Sequence, residues 1–265
     1  MAKISIFGCG WLGFPLAKAL ISNGFETKGS TTTASKLTVL QNAEIDVFLI
    51  AVSENGITGN LSGFLNSDVL IVDIPPKLRG SEKENFVEKM RHLILEIEKS
   101  TIKKVLFISS TSVYADDNSI ISEEKTPNPD TESGRQLLAS EQLLQSNQNF
   151  ETTILRFGGL IAEDRHPVKF LAGKQNLENP EGPINLIHRD DCIGIILQII
   201  KKNVWNETFN AVTPFHPTRK YYYSEKATIM NLPKPLFKNA DSVGKTILSD
   251  KLQTLLSYEF IHQKL

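Results

Sequence analysis

The stretch KISIFGCGWLGFPLAKALIS, residues 3–22, joins a short apolar run to an amphipathic segment through a glycine-rich turn. Ile4–Phe7 predicts a strand, and Leu12–Ser22 predicts a helix that ends at Asn23-Gly24. The turn has the spacing G-x-G-x-x-G: its first glycine permits the tight turn, its second lets the backbone approach a pyrophosphate, and its third lets helix and strand pack closely. The strand–turn–helix therefore predicts a dinucleotide site at the helix N-terminus, formed by Gly8, Cys9, Gly10, Trp11, Leu12 and Gly13.

The rest of the chain alternates short β-branched runs with longer amphipathic stretches, which is typical of βαβ units on a parallel sheet. The further predicted strands are Glu26–Ser30, Asp46–Val52, Val69–Ile74, Val105–Ser109, Thr153–Phe157 and Thr208–Val212. The further predicted helices are Ser81–Ser100, Thr131–Ser146 and Asp190–Lys201. Because Asp46–Val52 and Val69–Ile74 are almost continuously apolar, we expect both to be buried on both faces. The predicted fold class is α/β, with a doubly wound, Rossmann-type parallel sheet.

The pattern changes after residue 157, where Gly158–Pro183 is rich in Gly, Pro and Asn and lacks clear periodicity. The tail from Pro214 onward is also irregular before it becomes helical. We therefore predict a single domain over 1–265. Its nucleotide-binding core comprises residues 1–157 and about 187–213, and a small lobe comprises about 158–186 and 214–265.

Composition excludes several classes of protein. The formal net charge is −1 over 265 residues, so the chain lacks the basic field of a nucleic-acid-binding protein. Its two cysteines lack metal-ligand or disulfide spacing, which favours a reducing compartment. No apolar run is long enough to span a bilayer, and the N-terminus shows no signal-peptide pattern. We expect a cytoplasmic protein without a nucleic-acid or membrane partner.

The end of the second predicted strand bears on the choice of cofactor. NAD-binding folds usually place an acid there, to bind the ribose 2′-hydroxyl. Here the stretch Gly29–Lys36 has no acid, and its Thr31, Thr32, Thr33 and Lys36 suit a 2′-phosphate, although the usual arginine is missing. We therefore predict NADP as the preferred cofactor, with NAD as the alternative. Further contacts are expected from Ile74, Pro75 and Pro76, at the carboxyl edge of the sheet, and from Ser109.

Four segments in order resemble the extended short-chain dehydrogenase/reductase superfamily, the NAD-dependent epimerase/dehydratase group. They are Gly8–Gly13, Phe107–Tyr114, Leu155–Gly158 and Asn185–Asp191. The resemblance implies a C-terminal substrate lobe and a homodimer formed by the helices around 81–100 and 131–146. It also implies that Ser110 orients the substrate and that Tyr114 packs beside the nicotinamide, with proton donation by Tyr114 as the alternative.

The chain departs from that superfamily at the acid–base pair, a Tyr and a Lys four residues later. Alignment on Glu141 places Ser133 at the Tyr position and Leu137 at the Lys position. No tyrosine occurs between Tyr114 and Tyr221, so an error in register does not restore the pair. This pattern resembles the atypical YeeZ-like subgroup. A serine without a neighbouring base is a poor acid–base group near neutral pH.

Several polar residues are candidates for contact with an unknown small-molecule substrate. Arg135 could bind a carboxylate or phosphate, with a solvated helix arginine as the alternative. Arg165 and His166 begin the irregular lobe and could contact substrate, or lie on the surface. His188 and the two aspartates after Arg189 lack an evident third ligand, so we predict no metal site.

Two functions fit this sequence. The first is an NAD(P)-dependent oxidoreductase or epimerase-family protein that acts on a small carbonyl or sugar-like substrate, with Ser110 as the orienting group. The second is a non-enzymatic NADP-binding regulator or redox sensor, because the usual Tyr/Lys pair is replaced. The glycine turn supports cofactor binding in both.

Overall fold

The computed structural model describes residues 2–76, 78 and 84–265. The strands in this part of the chain are β1 (Lys3–Phe7), β2 (Glu26–Thr31), β3 (Asp46–Leu49), β4 (Ala51–Ser53), β5 (Gly56–Thr58), β6 (Val69–Val72), β7 (Lys104–Ser110), β8 (Ile120–Ile121), β9 (Glu151–Phe157), β10 (Gly159–Ile161), β11 (Leu186–His188), β12 (Thr208–Ala211) and β13 (Thr246–Ile247). The α-helices are α1 (Gly13–Ser22), α2 (Leu37–Gln41), α3 (Leu61–Phe64), α4 (Phe86–Glu98), α5 (Glu132–Gln145), α6 (Val168–Leu171), α7 (Arg189–Lys202), α8 (Arg219–Ile229) and α9 (Asp250–Leu256). Over the same residues, no helix combines the length and the apolar character needed to cross a membrane.

Seven of the described strands form one parallel sheet in the order β12-β9-β7-β6-β1-β2-β3. The strand order reverses between β1 and β6, whose last residues Phe7 and Val72 are paired in register. Such a reversal opens a crevice at the carboxyl ends of the two strands, where doubly wound folds bind ligands. The predicted α/β fold class and Rossmann-type sheet are confirmed.

Apolar helices cover both faces of this sheet. On one face, Leu16 of α1 and Ile195 of α7 are fully buried in the same cluster. On the other face, Met90 of α4 and Leu144 of α5 are fully buried in a second cluster. The two layers fix the strand ends, and therefore fix the turns that carry the candidate site.

The prediction of one strand at Asp46–Val52, buried on both faces, is wrong. The segment divides into β3, which ends at Leu49, and β4, which pairs antiparallel with β5. β3 is the last strand of the sheet, so it has a neighbour on one side only, and Leu49 is 46% exposed. The expectation holds for Val69–Val72, where all four residues are buried.

The predicted helix Ser81–Ser100 is observed as α4, which begins at Phe86. Asn85 caps it, because its side chain accepts hydrogen bonds from the amides of Val87 and Glu88. The first part of the prediction, residues 81–83, lies outside the described residues.

The lobe has an apolar cluster of its own, formed by β10, β11, α6 and α8, with Tyr222 fully buried within it. The tail does not stay with this cluster. α9 packs on α7 and β12, and Leu252 and Leu256 are buried in the cluster on the α1 and α7 side of the sheet. The segment that we assigned to the lobe from residue 214 onward therefore includes a helix that packs on the core.

Candidate functional site

A cleft of about 380 Å³ opens at the reversal point between β1 and β6. Its lining residues are Phe7, Gly8, Cys9, Gly10, Ser30, Thr31, Thr32, Thr33, Lys36, Ile50, Val52, Asp73, Ile74, Pro75 and Lys89. The structure thus brings the glycine turn, the end of β2 and the end of β6 to one place, as the sequence predicts.

The backbone of β2 fixes the start of the glycine turn. The Gly8 amide donates to the Ser30 hydroxyl at 3.0 Å, and the Cys9 amide donates to the Ser30 carbonyl oxygen at 2.8 Å. Gly8 has φ +112°, and a Cβ on Gly13 would lie 2.1 Å from the Gly8 carbonyl oxygen. α1 has no side-chain cap at Leu12, but its Gly13 amide donates to Asp73 and its Phe14 amide donates to the Gly10 carbonyl oxygen, so an anion would have to use the remaining amides of the turn before Gly13.

Gly10 differs from the other two glycines of the turn. A Cβ added at Gly10 would meet no atom of the protein within 4 Å, and its φ is not in the left-handed region. Packing and backbone conformation therefore do not require glycine at this position. A glycine with open space beside it suits the close approach of a ligand.

The rim at the end of β2 carries hydroxyl groups and one cation. Thr32, Thr33 and Lys36 are exposed and line the cleft, and the buried Thr31 hydroxyl accepts a hydrogen bond from the Thr33 amide at 3.1 Å. Among the described lining residues, Asp73 is the one acid, and it follows β6 rather than β2. The rim therefore presents donors without a carboxylate, which is the chemistry that a phosphate needs.

Asp73, which sequence reasoning missed, lies under the glycine turn. Its Oδ2 atom is 3.2 Å from the position of a Cβ on Gly13. Burial raises the pKa of Asp73 to about 7, against a smaller lowering by a hydrogen bond from the Gly13 amide. Burial, followed by the charge of Asp73, raises the pKa of the Cys9 thiol to about 12, so Cys9 stays protonated and packs against Gly29.

Lys89 of α4 is the second lining residue that the sequence did not indicate. It is 5% exposed and forms an ion pair with Glu84. The other buried residues of α4 are apolar. The aliphatic part of the Lys89 side chain therefore packs in the core, while the residue also lines the cleft.

The remaining residues predicted to bind cofactor do not line the cleft: Trp11, Leu12, Gly13, Pro76 and Ser109. Leu12 is buried in the core, and the Ser109 hydroxyl donates to the buried Glu141 carboxylate. The Ser109 hydroxyl is therefore used by Glu141, and a cofactor contact at Ser109 stays a prediction.

Trp11 connects the glycine turn to the lobe. Its indole nitrogen donates to Asp164 at 3.0 Å. The guanidinium carbons of Arg165 and Arg189 lie 4.9 and 4.7 Å from its ring centre, within the range of a cation–π contact. Arg189 also pairs with Asp164. The predicted substrate residue Arg165 thus lies beside the turn that is predicted to bind phosphate.

Ser110 and Ser133 lie on two elements that touch. Ser110 ends β7, and its hydroxyl accepts from the Ser112 amide at 3.2 Å. α5 approaches this turn so closely that a Cβ on Gly134 would lie 2.1 Å from the Ser112 carbonyl oxygen. Gly134 therefore fixes the start of α5 against the turn that follows Ser110, although neither Ser110 nor Ser133, the residue at the tyrosine position, lines the 380 Å³ cleft.

Tyr114 belongs to a buried ionic network. Its hydroxyl accepts from the Arg156 guanidinium at 2.6 Å and donates to Asn210 at 3.1 Å, and the residue is 1% exposed. Arg156 pairs with the fully buried Glu141 at 2.6 Å. Burial, partly offset by the charge of Arg156, raises the pKa of Tyr114. Tyr114 does not line the cleft, so the geometry favours packing over proton donation.

The other two predicted substrate residues are held by neighbouring groups. Arg135 is exposed and pairs with Glu132 at 3.0 Å on the first turn of α5. His166 is not a surface residue: it is 9% exposed, and its ring bonds to the Tyr222 hydroxyl at 2.9 Å. Burial, and then the charges of Lys226 and Lys169, lower the pKa of His166 to about 4.

One group of side chains could hold a metal ion, although the sequence predicts no metal site. No third ligand was evident beside His188 and Asp190, but the fold brings His262 of the tail against both. The His188 and His262 ring centres are 3.7 Å apart. The contact arises because Asp191 accepts hydrogen bonds from the amides of Ile261 and His262 and so fixes the tail on α7.

Comparison with known proteins gives full-length sequence relatives and many structural neighbours. No family model matches the chain. The chain is 31% identical to protein YeeZ of Escherichia coli strain K12 over 264 residues, which cover 98% of this chain and 96% of that protein.

Among solved structures, a functionally unknown conserved protein from Silicibacter pomeroyi matches with a TM-score of 0.81 and 19% identity, over 100% of this chain and 95% of that one. The UDP-glucuronic acid 4-epimerase from Bacillus cereus, in complex with NAD, matches with a TM-score of 0.80 and 19% identity, over 97% of this chain and 91% of that one. At these identities the two structures establish a shared fold.

Proposed function

We propose that the cleft of this chain, which belongs to the family of protein YeeZ, binds NADP in preference to NAD. The Bacillus cereus epimerase of the same fold is in complex with NAD. In this chain the hydroxyl groups of the β2 rim and Lys36 would hold a 2′-phosphate, and the remaining amides of the glycine turn before Gly13 would hold the diphosphate.

The observation that carries dinucleotide binding in this cleft is the open space at Gly10, while the preference for NADP rests on the rim of β2. The free protein tolerates a Cβ there, whereas a bound diphosphate does not. Gly10→Ala should therefore leave the free energy of unfolding within about 0.5 kcal/mol of the wild type. The same change should weaken dinucleotide binding at least tenfold, which is about 1.4 kcal/mol.

Calorimetric titration with NADPH, NADP, NADH and NAD tests both the preference for the phosphorylated cofactor and the role of Gly10. Tighter binding of the phosphorylated pair, lost in Gly10→Ala, supports the proposal. If none of the four binds the wild type, the cleft is not a dinucleotide site. Equal binding by Gly10→Ala would place the cofactor elsewhere.

We propose further that the protein is an oxidoreductase of the epimerase/dehydratase type that acts on a small carbonyl or sugar-like substrate. NADP, when bound, supplies hydride transfer. The chain then has to orient the substrate, and Ser110 at the end of β7 is the proposed orienting group. Since Tyr114 is buried in its ionic network, we assign proton supply to water beside Ser110 and Ser133.

A panel of aldehydes, ketones and nucleotide sugars, assayed with NADPH, tests the reaction. Ser110→Ala should lower kcat/KM for any substrate found, and Ser22→Ala, at the exposed last residue of α1, is the matched control. Unchanged turnover in Ser110→Ala would remove the assigned role.

A second candidate, a non-enzymatic NADP-binding regulator, is favoured by one observation. Leu137, at the lysine position, is 4% exposed and packs in the apolar core, so α5 presents no cation there. A regulator would bind NADP without turnover and distinguish NADP from NADPH in its shape or partner. Hydrogen exchange with each cofactor separates the two candidates, because an enzyme without substrate need not distinguish them in this way.

We also propose a homodimer in the cytoplasm. α4 and α5 pack side by side, and Leu95 on α4 is 52% exposed. Light scattering of the purified protein tests this state, and Leu95→Glu should shift a dimer through these helices toward monomer.

A further inference from the structure

We propose that His188, Asp190 and His262 form a binding site for a divalent transition-metal ion such as zinc. The three come from the end of β11, the first turn of α7 and the tail. The site lies outside the dinucleotide cleft and does not depend on the proposed cofactor function.

The distances within the group suit one ion. His188 Nδ1 is 3.4 Å from Asp190 Oδ2, and His262 Nε2 is 3.3 Å from the same oxygen. One possible ligand atom from each residue lies within 4.8 Å of the other two. Zinc bonds of about 2.0–2.2 Å place neighbouring ligands of a tetrahedron about 3.3–3.5 Å apart. Two imidazoles and a carboxylate are also a ligand set that transition metals accept.

Carboxylates outside this group support the two histidines. Glu163 Oε1 lies 3.3 Å from His188 Nε2, which orients the ring and leaves Nδ1 directed at Asp190. Asp191 Oδ2 accepts from the His262 amide at 3.1 Å and is fully buried. The tail is therefore held in place before any ion binds, which lowers the entropic cost of assembling the site.

Two features act against the ion. The His188 Nδ1 atom accepts a hydrogen bond from the Asp190 amide at 3.2 Å, and a metal would replace that bond. Lys226 and Lys264 line the adjoining cavity and repel a cation. Asp190 and Glu163 place two negative charges beside the same group and offset those two positive charges.

The test uses untagged protein that has been freed of metal by a chelator. Co²⁺ is titrated while the visible absorption of the bound ion is recorded, and Zn²⁺ is then added as competitor. Wild type and His92→Gln should bind Co²⁺ with equal affinity, because His92 lies on α4, outside the proposed site. His262→Gln should bind at least tenfold more weakly. Glu163→Gln, which keeps the ligands but alters the support for His188, should lose about tenfold.

Thermal unfolding supplies the second readout. Zn²⁺ should raise the Tm of wild type and His92→Gln but not that of His262→Gln, whose own Tm without metal shows whether it is folded. Absence of Co²⁺ absorption in the wild type overturns the proposal. Equal affinity in His262→Gln also overturns it, because the ion would then lie elsewhere.

Discussion

The carbonyl oxygen of Asp73 lies 2.3 Å from the position that a Cβ atom on Gly8 would occupy. The two residues directly follow β6 and β1, the strands between which the sheet order reverses. No side chain fits between two strand ends this close. The floor of the cleft is therefore set by backbone contact, before any cofactor contributes.

Gly8→Ala should destabilise the protein by more than about 1 kcal/mol. Its φ of +112° strains an L-residue, and the new Cβ would overlap the Asp73 carbonyl group. Urea unfolding followed by circular dichroism measures the change, and Gly10→Ala is the matched control without either problem. Equal stability of the two variants would mean that the strand ends can separate without cost.

Asp73 should make the protein less stable as pH rises. In the unfolded chain its pKa is 3.8, and in the folded protein burial raises it to about 7. Between about pH 4 and pH 7 the native state holds the extra proton, so this contribution to stability is complete below about pH 4 and is lost as pH approaches 7.

Asp73→Asn should remove that dependence. The difference in free energy of unfolding between wild type and variant should change by a few kcal/mol at most across this window, since one pKa unit corresponds to about 1.4 kcal/mol. Urea titrations at several pH values measure it. Parallel pH profiles would show that Asp73 ionises normally in the folded state.

The same carboxyl group should couple cofactor binding to a proton. A diphosphate in the cleft adds negative charge beside Asp73, so binding favours its neutral form and takes up a proton above about pH 7. The Kd for NADH should therefore rise from about pH 6 to pH 8 in the wild type and stay flat in Asp73→Asn. Calorimetry in buffers of different ionisation enthalpy counts the proton directly. Flat profiles in both proteins would reject the coupling while leaving dinucleotide binding intact.

Features of the fold and the site that depend on residues close together in the sequence could be predicted, whereas features that depend on contacts between distant segments could not. The turn Gly8–Gly13 and the rim Thr31–Lys36 were predictable, because each directly follows a strand and its chemistry is local. The edge position of β3 was not, because an apolar run does not show how many neighbours its strand will have.

Two of the three residues that sequence reasoning missed owe their roles to contacts between segments distant in the chain. Lys89 lies among apolar positions of α4, and its role depends on where that helix packs. His262 reaches His188 only because Asp191 fixes the tail. Asp73 is the exception: as the first polar residue after a buried strand, it could have been identified together with Ile74 and Pro75.

Lys36 should determine preference for the phosphorylated cofactor. It is exposed at the rim, and the described lining residues of β2 and the turn after it include no other cation. Lys36→Met should weaken NADPH binding about tenfold, or about 1.4 kcal/mol, and change NADH binding by less than about twofold. Lys18→Met, an exposed lysine on α1, is the control. An equal loss for both cofactors would assign Lys36 to the diphosphate instead.

Arg156 should matter for stability far more than for cofactor contact. Its removal leaves the fully buried Glu141 without its cation, and Tyr114 without its donor. Breaking one side of a buried pair costs about 3–5 kcal/mol, so Arg156→Met should lower the free energy of unfolding by that amount. The double variant Arg156→Met with Glu141→Leu removes both charges and should regain at least half of the loss. Urea unfolding of the wild type, the two single variants and the double variant measures the cycle. If the double variant is no more stable than Arg156→Met alone, the loss in Arg156→Met does not come from the unpaired charge of Glu141.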